Sequence, residues 1–155
     1  MILQTLKDCL DREQVYYAVI RHPYAGSAQA VAAAAHIPGK EMAKTVAMKV
    51  DGEPALVVLP ASSKVDVVRL LETTGAFIVE LAREEELLEL FPGCQLGAMP
   101  PFGNLFGLTT YVAEELTEDE EIAFNAGSTT EVIRMMYRDY ERLVQPRVLP
   151  VGIPA

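Results

Sequence analysis

The sequence predicts a single α+β domain on a mixed sheet rather than a doubly wound parallel one, and three observations predict it. Helix-patterned and strand-patterned segments alternate along the chain. Residues Thr45 to Leu59 carry a strong hairpin signal, which fixes at least one antiparallel pair. The 155 residues, 50% hydrophobic and 23% charged, contain no internal repeat and no linker. A chain of this length buries about 68–70% of the surface its unfolded form exposes, enough for one core without disulfides or a metal.

Leu3, Leu6 and Leu10 recur at helical spacing, with Lys7, Asp11 and Glu13 on other faces, so an amphipathic helix opens the chain. Tyr16 to Ile20 reads as a strand. AQAVAAAAH is a strong helix former, with Ser27 as its N-cap and Pro38-Gly39 as its stop. TVAMKV and PALVVL flank Asp51-Gly52, a dipeptide suited to the positive φ of a two-residue turn, and Ala55 to Leu59 is apolar on both faces, as in the middle of a sheet. Ser63 to Asp66 has capping-box spacing before a helix carrying Val65, Val68 and Leu71. Phe77 to Leu81 is a further strand. Arg83 to Phe91 is a helix with acids in its first turn and Leu87, Leu88 and Phe91 inward. After the non-helical GAMPPFGNLFG come strands at Thr109 to Val112, Ile122 to Asn125 and Glu131 to Met136. Tyr137, Tyr140 and Leu143 mark a closing helix. Residues 1–145 form the domain, and 146–155, punctuated by Pro146, Pro150 and Pro154, are expected to be an irregular tail.

Several function classes are excluded early. Cys9 and Cys94 form neither a CxxC pair nor a disulfide framework and are read as reduced thiols. Lys7, Asp8, Asp11 and Arg12 come too early for a signal peptide, and no apolar run approaches membrane-spanning length, so a cytoplasmic protein with no membrane partner is expected. Metal-ligand spacings, a Walker A pattern and a Rossmann glycine pattern are all missing, so no metal and no cofactor are expected. The net charge of −9 opposes a broad grip on nucleic acid, which needs clustered Lys and Arg. A polynucleotide would be touched only locally, through an end.

Three features carry chemistry. Strand alternation puts Lys44 on the same face as Val46, Met48 and Val50, whereas Lys49 has outward parity. An inward ammonium is costly unless it meets an anion, carbonyls or cleft water; the alternative is that Lys44 precedes the settled pleat and snorkels to solvent. Gly97 to Gly103, GAMPPFG, is stiffened by two prolines while its glycines permit turns, so it presents backbone groups with little ordering entropy left to lose; it can equally be a plain connection. FNAGSTT offers an amide and hydroxyls beside Gly127 that can line a polar pocket or cap a turn. It lacks the pattern of a nucleophile elbow, so Ser128 is not read as an acyl-enzyme nucleophile.

Together, HIPGKEMAKTVAMKV, ALVVLPASSKVDVVRL, GAMPPFG and FNAGSTTEVIRM resemble, in order and spacing, the YbaK family, the editing domain associated with prolyl-tRNA synthetase. The resemblance implies a mixed, largely antiparallel, partly barrel-like sheet flanked by helices. It also implies a free-standing aminoacyl-tRNA deacylase that hydrolyses the ester of a small, wrongly attached amino acid on a proline-type tRNA. The implied partners are the tRNA acceptor end and an aminoacyl-tRNA synthetase. The family's lysine falls on Lys44 and its G-x-x-x-P loop on Gly97 and Pro101. Substrate-binding roles then extend to His22, Tyr24, Ala98, Met99, Phe102, Gly103, Gly127, Ser128, Thr129 and Asp139. One departure stands out: related sequences often carry histidine where this chain has Thr129. Two competing readings are a non-catalytic module that binds an aminoacyl-adenosine-like ligand or tRNA end, and a thiol hydrolase using Cys94.

Overall fold

The computed structural model describes residues 2–155. The elements in chain order are α1 (Gln4–Arg12), β1 (Tyr17–Arg21), α2 (Ala28–Ala34), β2 (Met42–Val50), β3 (Glu53–Pro60), β4 (Ser63–Val65), α3 (Val67–Thr74), β5 (Val79–Leu81), α4 (Glu84–Leu90), β6 (Thr109–Ala113), β7 (Glu121–Asn125), β8 (Glu131–Met136), α5 (Tyr137–Val144), β9 (Arg147–Leu149) and β10 (Gly152–Pro154). The main sheet runs β1-β8-β7-β2-β3-β6-β9, with β5 also paired to β2; β4 and β10 form a separate pair. β2–β7, β3–β6 and β6–β9 are parallel and the other pairs antiparallel, so the sheet is mixed and mostly antiparallel. The main path ends at β1 and β9 without closing, so the barrel-like part of the expectation has no counterpart in the pairing.

Local signals account for much of this. Asp51 (φ 52°) and Gly52 (φ 83°) make the hairpin turn between β2 and β3. Ser27 caps α2 by accepting from the Ala30 N–H at 3.1 Å. In α4 the Arg83 N–H donates to Glu86 Oε1 at 3.1 Å, and three acids occupy the first turn.

Three expectations are corrected. Ser63 to Val65 is strand rather than helix entry; Asp66 caps α3 by accepting from the Arg69 N–H, and the helix is rotated so that Leu70 is buried while Val68 is exposed. In α4, Leu88 is exposed, and Phe91 just beyond it carries the apolar contact. The segment 146–155 is not irregular. Arg147–Leu149 extends the main sheet beside β6, and Gly152–Pro154 pairs with β4. Pro146 and Pro150 flank β9 rather than sit in it, and Pro154 is tolerated in β10 because an edge strand leaves one side of its ladder unpaired.

Ala55 to Leu59 is fully covered, as its two apolar faces require. The largest core cluster joins α1, α5 and the sheet through Leu6, Leu10, Phe124, Ile133 and Tyr140. Phe102 from the GAMPPFG segment stacks there between Phe124 and Tyr140, with ring centroids 5.5 and 5.4 Å away. Among the described residues, no helix is long and apolar enough to cross a membrane.

The feature that positions the site is a split in the sheet. Along one edge of β2, Met42 and Ala43 pair with β7, whereas Met48 to Val50 pair with β5. Between those contacts, residues 44–46 have no strand partner on that side among the described residues. A row of strand backbone left unpaired in a protein interior invites a ligand or water.

Candidate active site

A cleft opens at that split. Its walls come from Tyr24 to Ala28 before and at the start of α2, Ala43 to Thr45 of β2, Leu96, Gly97 and Met99, and Asn125 and Thr129 around the end of β7. The enclosed volume is about 100 Å³. A cleft of that size suits a small ligand group better than a bulky one.

Lys44 is the cationic residue of this lining. Burial pushes its ammonium pKa below the ordinary lysine value, and no carboxylate among the described residues forms an ion pair with it. A half-buried cation without a partner is a binding site for an anion or a set of carbonyls.

Opposite it, the GAMPPFG segment is held by its own polar groups. The Asn125 Nδ2 donates to the Gly97 carbonyl at 3.4 Å, and the Gly127 N–H to the Ala98 carbonyl at 2.8 Å. The buried Tyr140 hydroxyl donates to the Pro101 carbonyl at 2.6 Å. These bonds turn three carbonyls toward the protein. The N–H groups of Gly97 and Met99 have no partner among the described residues. Gly97 adopts φ 82° in open space, so its side-chain-free backbone serves the conformation rather than relieving a crowded contact.

The sequence profile of the aminoacyl-tRNA editing domain family matches residues 22–143. The chain belongs to this family. The multifunctional Ser/Thr-tRNA deacylase ProXp-y of Escherichia coli (strain K12) is 31% identical over 152 residues, covering 94% of this chain and 90% of that protein. Among solved structures, a hypothetical protein superposes with a TM-score of 0.85 at 19% identity, covering 97% of this chain and 100% of the other. A protein provisionally described as a trans-editing enzyme for prolyl-tRNA synthetase gives 0.82 at 19% identity, covering 96% and 94%. At these identities the structural likeness is one of fold.

In this editing domain the cleft gathers Lys44, Tyr24, Gly97, Met99 and Thr129 from among the residues singled out by sequence. The others lie outside its lining. Ala98 is buried behind the wall, and Pro101 is buried with its carbonyl on Tyr140. Phe102 is core, and Gly103 packs so tightly on Thr110 and Leu108 that a Cβ would collide with them. Gly127, at φ 92°, lies where a Cβ would come within 2.9 Å of Leu3 Cβ; it lets α1 dock. Ser128 bonds Thr130 and caps the turn, the commoner use of such a residue. His22 sits in a separate depression with Arg21, Thr130 and Glu131. Asp139 lies in the first turn of α5, 3.8 Å from Arg142.

At the position where histidine is common in related sequences, the Thr129 N–H and hydroxyl both donate to Gln95 Oε1, at 2.7 and 2.9 Å. The hydroxyl is thereby committed to the wall. The sequence assigns no site role to Thr45 or to the stretch Ala25 to Ala28, and offers Asn125 only as an amide that can line a pocket or cap a turn. Asn125 belonged to a recognised polar segment, but only the pairing of β7 with β2 puts it beside Lys44.

Proposed function

We propose that this editing domain is a trans-acting deacylase that hydrolyses the ester between a small amino acid and the 3′ end of a mischarged tRNA, with serine and threonine esters first, on a proline-type tRNA. The observation that carries this reading is the single small cleft holding both an unpaired lysine and the proline-braced glycine segment. The relative's name supplies serine and threonine, and the cleft volume agrees with side chains of that size.

Lys44 holds the terminal phosphate or ribose, where its charge is neutralised on binding. The backbone from Gly97 to Met99 receives the aminoacyl carbonyl. Water adds to that carbonyl carbon, the carbon–oxygen bond to the ribose breaks, and the proton lost by the water ends on the ribose oxygen. Carboxylate and imidazole side chains do not line the cleft, so the substrate's own neighbouring ribose hydroxyl positions the water.

The net charge of −9 confines contact to the acceptor end. A synthetase partner would supply the remaining affinity through effective concentration. The same lack of a general base favours a second reading, a non-catalytic holder of aminoacyl-adenosine ends. A panel of proline-type tRNAs charged with serine, threonine, alanine or cysteine separates the two. Turnover by the wild type and its collapse in Lys44→Ala are expected. Full activity in Lys44→Ala would remove the assigned role, and tight binding without turnover would establish the second reading.

A further inference from the structure

Asn125 ends β7 on the wall of the cleft, and its carboxamide faces two environments. Oδ1 is buried without a hydrogen-bond partner among the described residues. Nδ2 lies on the exposed side, where it donates to the Gly97 carbonyl. An amide nitrogen carries two N–H groups, so one remains after that bond is made. With Oδ1 turned inward, it is the NH₂ end that borders the cleft.

Leaving a buried carbonyl oxygen unpaired is destabilising. An aliphatic residue at this strand end would avoid that cost. Asparagine is therefore explained by what its nitrogen does. Asn125, with one N–H free, lines the same cleft as Lys44, as do Gly97 and Met99 with their uncommitted N–H groups. Uncommitted donors fixed on a braced loop are what a developing oxyanion requires.

We infer that Asn125 is a catalytic residue whose free amide N–H donates to the scissile ester's carbonyl oxygen and stabilises the negative charge that gathers there as water adds. This rests on the deacylase reading. The tetrahedral oxygen then returns its electron pair to carbon, the ribose oxygen leaves with a proton, and the amide is unchanged. Lys44 does not duplicate this role, because its charge is assigned to the phosphate or ribose.

The test compares wild type, Asn125→Ala and Asn125→Asp on seryl-charged proline-type tRNA, with three readouts: kcat and KM, the melting temperature, and affinity for an adenosine carrying serine through a non-hydrolysable 3′-amide. Losing one oxyanion donor lowers kcat by about 10²–10³. Asn125→Ala is expected to show that loss with KM and analogue affinity held and at most a small fall in melting temperature, because the catalytic contact strengthens only in the transition state and the bond to Gly97 is long at 3.4 Å while Gly127 and Tyr140 still tie the loop. Asn125→Asp keeps the shape but replaces a donor with an acceptor, and is expected to be at least as impaired. Wild-type kcat in Asn125→Ala overturns the inference. So does a kcat loss matched by falling analogue affinity and melting temperature, which would make the residue a brace for Gly97. Either result with an active wild type and an inactive Lys44→Ala leaves the deacylase reading standing; a wild type that turns over none of the charged tRNAs removes both.

Discussion

Lys44 and Lys49 lie five positions apart on the same strand and have opposite surroundings. Lys49 Nζ sits 3.6 Å from Glu80 and 3.4 Å from Glu86, so β5 and α4 each supply it with a carboxylate. Lys44 lies where β5 has already ended and β7 has let go, and no described carboxylate reaches it. One cation is neutralised by the fold, and the other is left for something the fold does not contain. In a chain with 22 acidic residues against 13 basic ones, leaving a half-buried ammonium unpaired is a more informative event than pairing one. The difference lies in the sheet and not in the residue type.

The sharpest way to break this comparison is Lys44→Met against Lys49→Met. Removing a cation that binds substrate is expected to cost about 2–5 kcal/mol, on the order of 30- to 5,000-fold in kcat/KM. The same change is expected to raise the melting temperature at neutral pH. Burial holds the folded-state pKa of Lys44 below its unfolded value, so between the two the unfolded chain binds more protons and wild-type stability increases with pH. Wherever the pH lies below both values, the charged form carries its full desolvation cost, and methionine removes it. A Lys44→Met protein that is both inactive and less stable at every pH would show the lysine to be structural.

The braced loop comes next in size. Tyr140 is fully buried, its burial drives its pKa well above the ordinary tyrosine value, and its hydroxyl is the partner of the Pro101 carbonyl. Tyr140→Phe leaves that buried carbonyl unpaired at a cost of about 1–3 kcal/mol, which lowers the melting temperature by roughly 2–4 °C per kcal/mol in a domain this size. Activity should fall by less than in Lys44→Met, because the loop loses one of its ties while Asn125 and Gly127 keep the others. Urea denaturation and kcat measured on the same preparation decide it; unchanged stability would mean that Pro101 is held otherwise.

How much of this was readable beforehand follows the range of the interactions. The Asp51-Gly52 turn and the Ser27 cap depend on neighbours within a few residues, and the sequence carries them in full view. The sheet split depends on pairing Ala43 with Phe124 and Val50 with Val79, contacts whose sequence separation no local pattern encodes. The same distance hid Asn125 as a neighbour of Lys44. The glycine segment was recognised as stiff, but most of its residues serve the wall from behind: Phe102 fills the core and Gly103 fits against Thr110. The tail misled because prolines signal irregularity, whereas Pro146 and Pro150 merely flank β9 and Pro154 sits in a three-residue edge strand.

Lys49→Met probes the other half of the comparison and should do little. Lys49 and Glu86 are part-buried but their contact is long at 3.4 Å, so the pair contributes little to stability, and Arg83 continues to hold Glu86 at 3.0 Å. A melting temperature within a few degrees of wild type and unchanged deacylation are expected, with any stability difference shrinking as salt is added. Lost deacylation would mean that charge on the α4 side of β2 also guides the substrate, and the contrast between the two lysines would dissolve.

The smallest effect is expected from Cys94→Ser, which tests whether a nucleophile rather than a cation drives the reaction. Cys94 packs beside Phe91, Phe106 and Leu87, and burial pushes its thiol pKa up to about 11. At pH 7 that leaves on the order of one thiolate in 10⁴, and it is the thiolate that attacks. Cys94 is also absent from the lining that contains Lys44. Serine is expected to give wild-type kcat/KM with at most a slight fall in melting temperature from placing a hydroxyl among aromatic rings. Inactivation of Cys94→Ser at wild-type stability, together with full activity in Lys44→Met, would move the chemistry from the split in the sheet to the apolar cluster around Phe91.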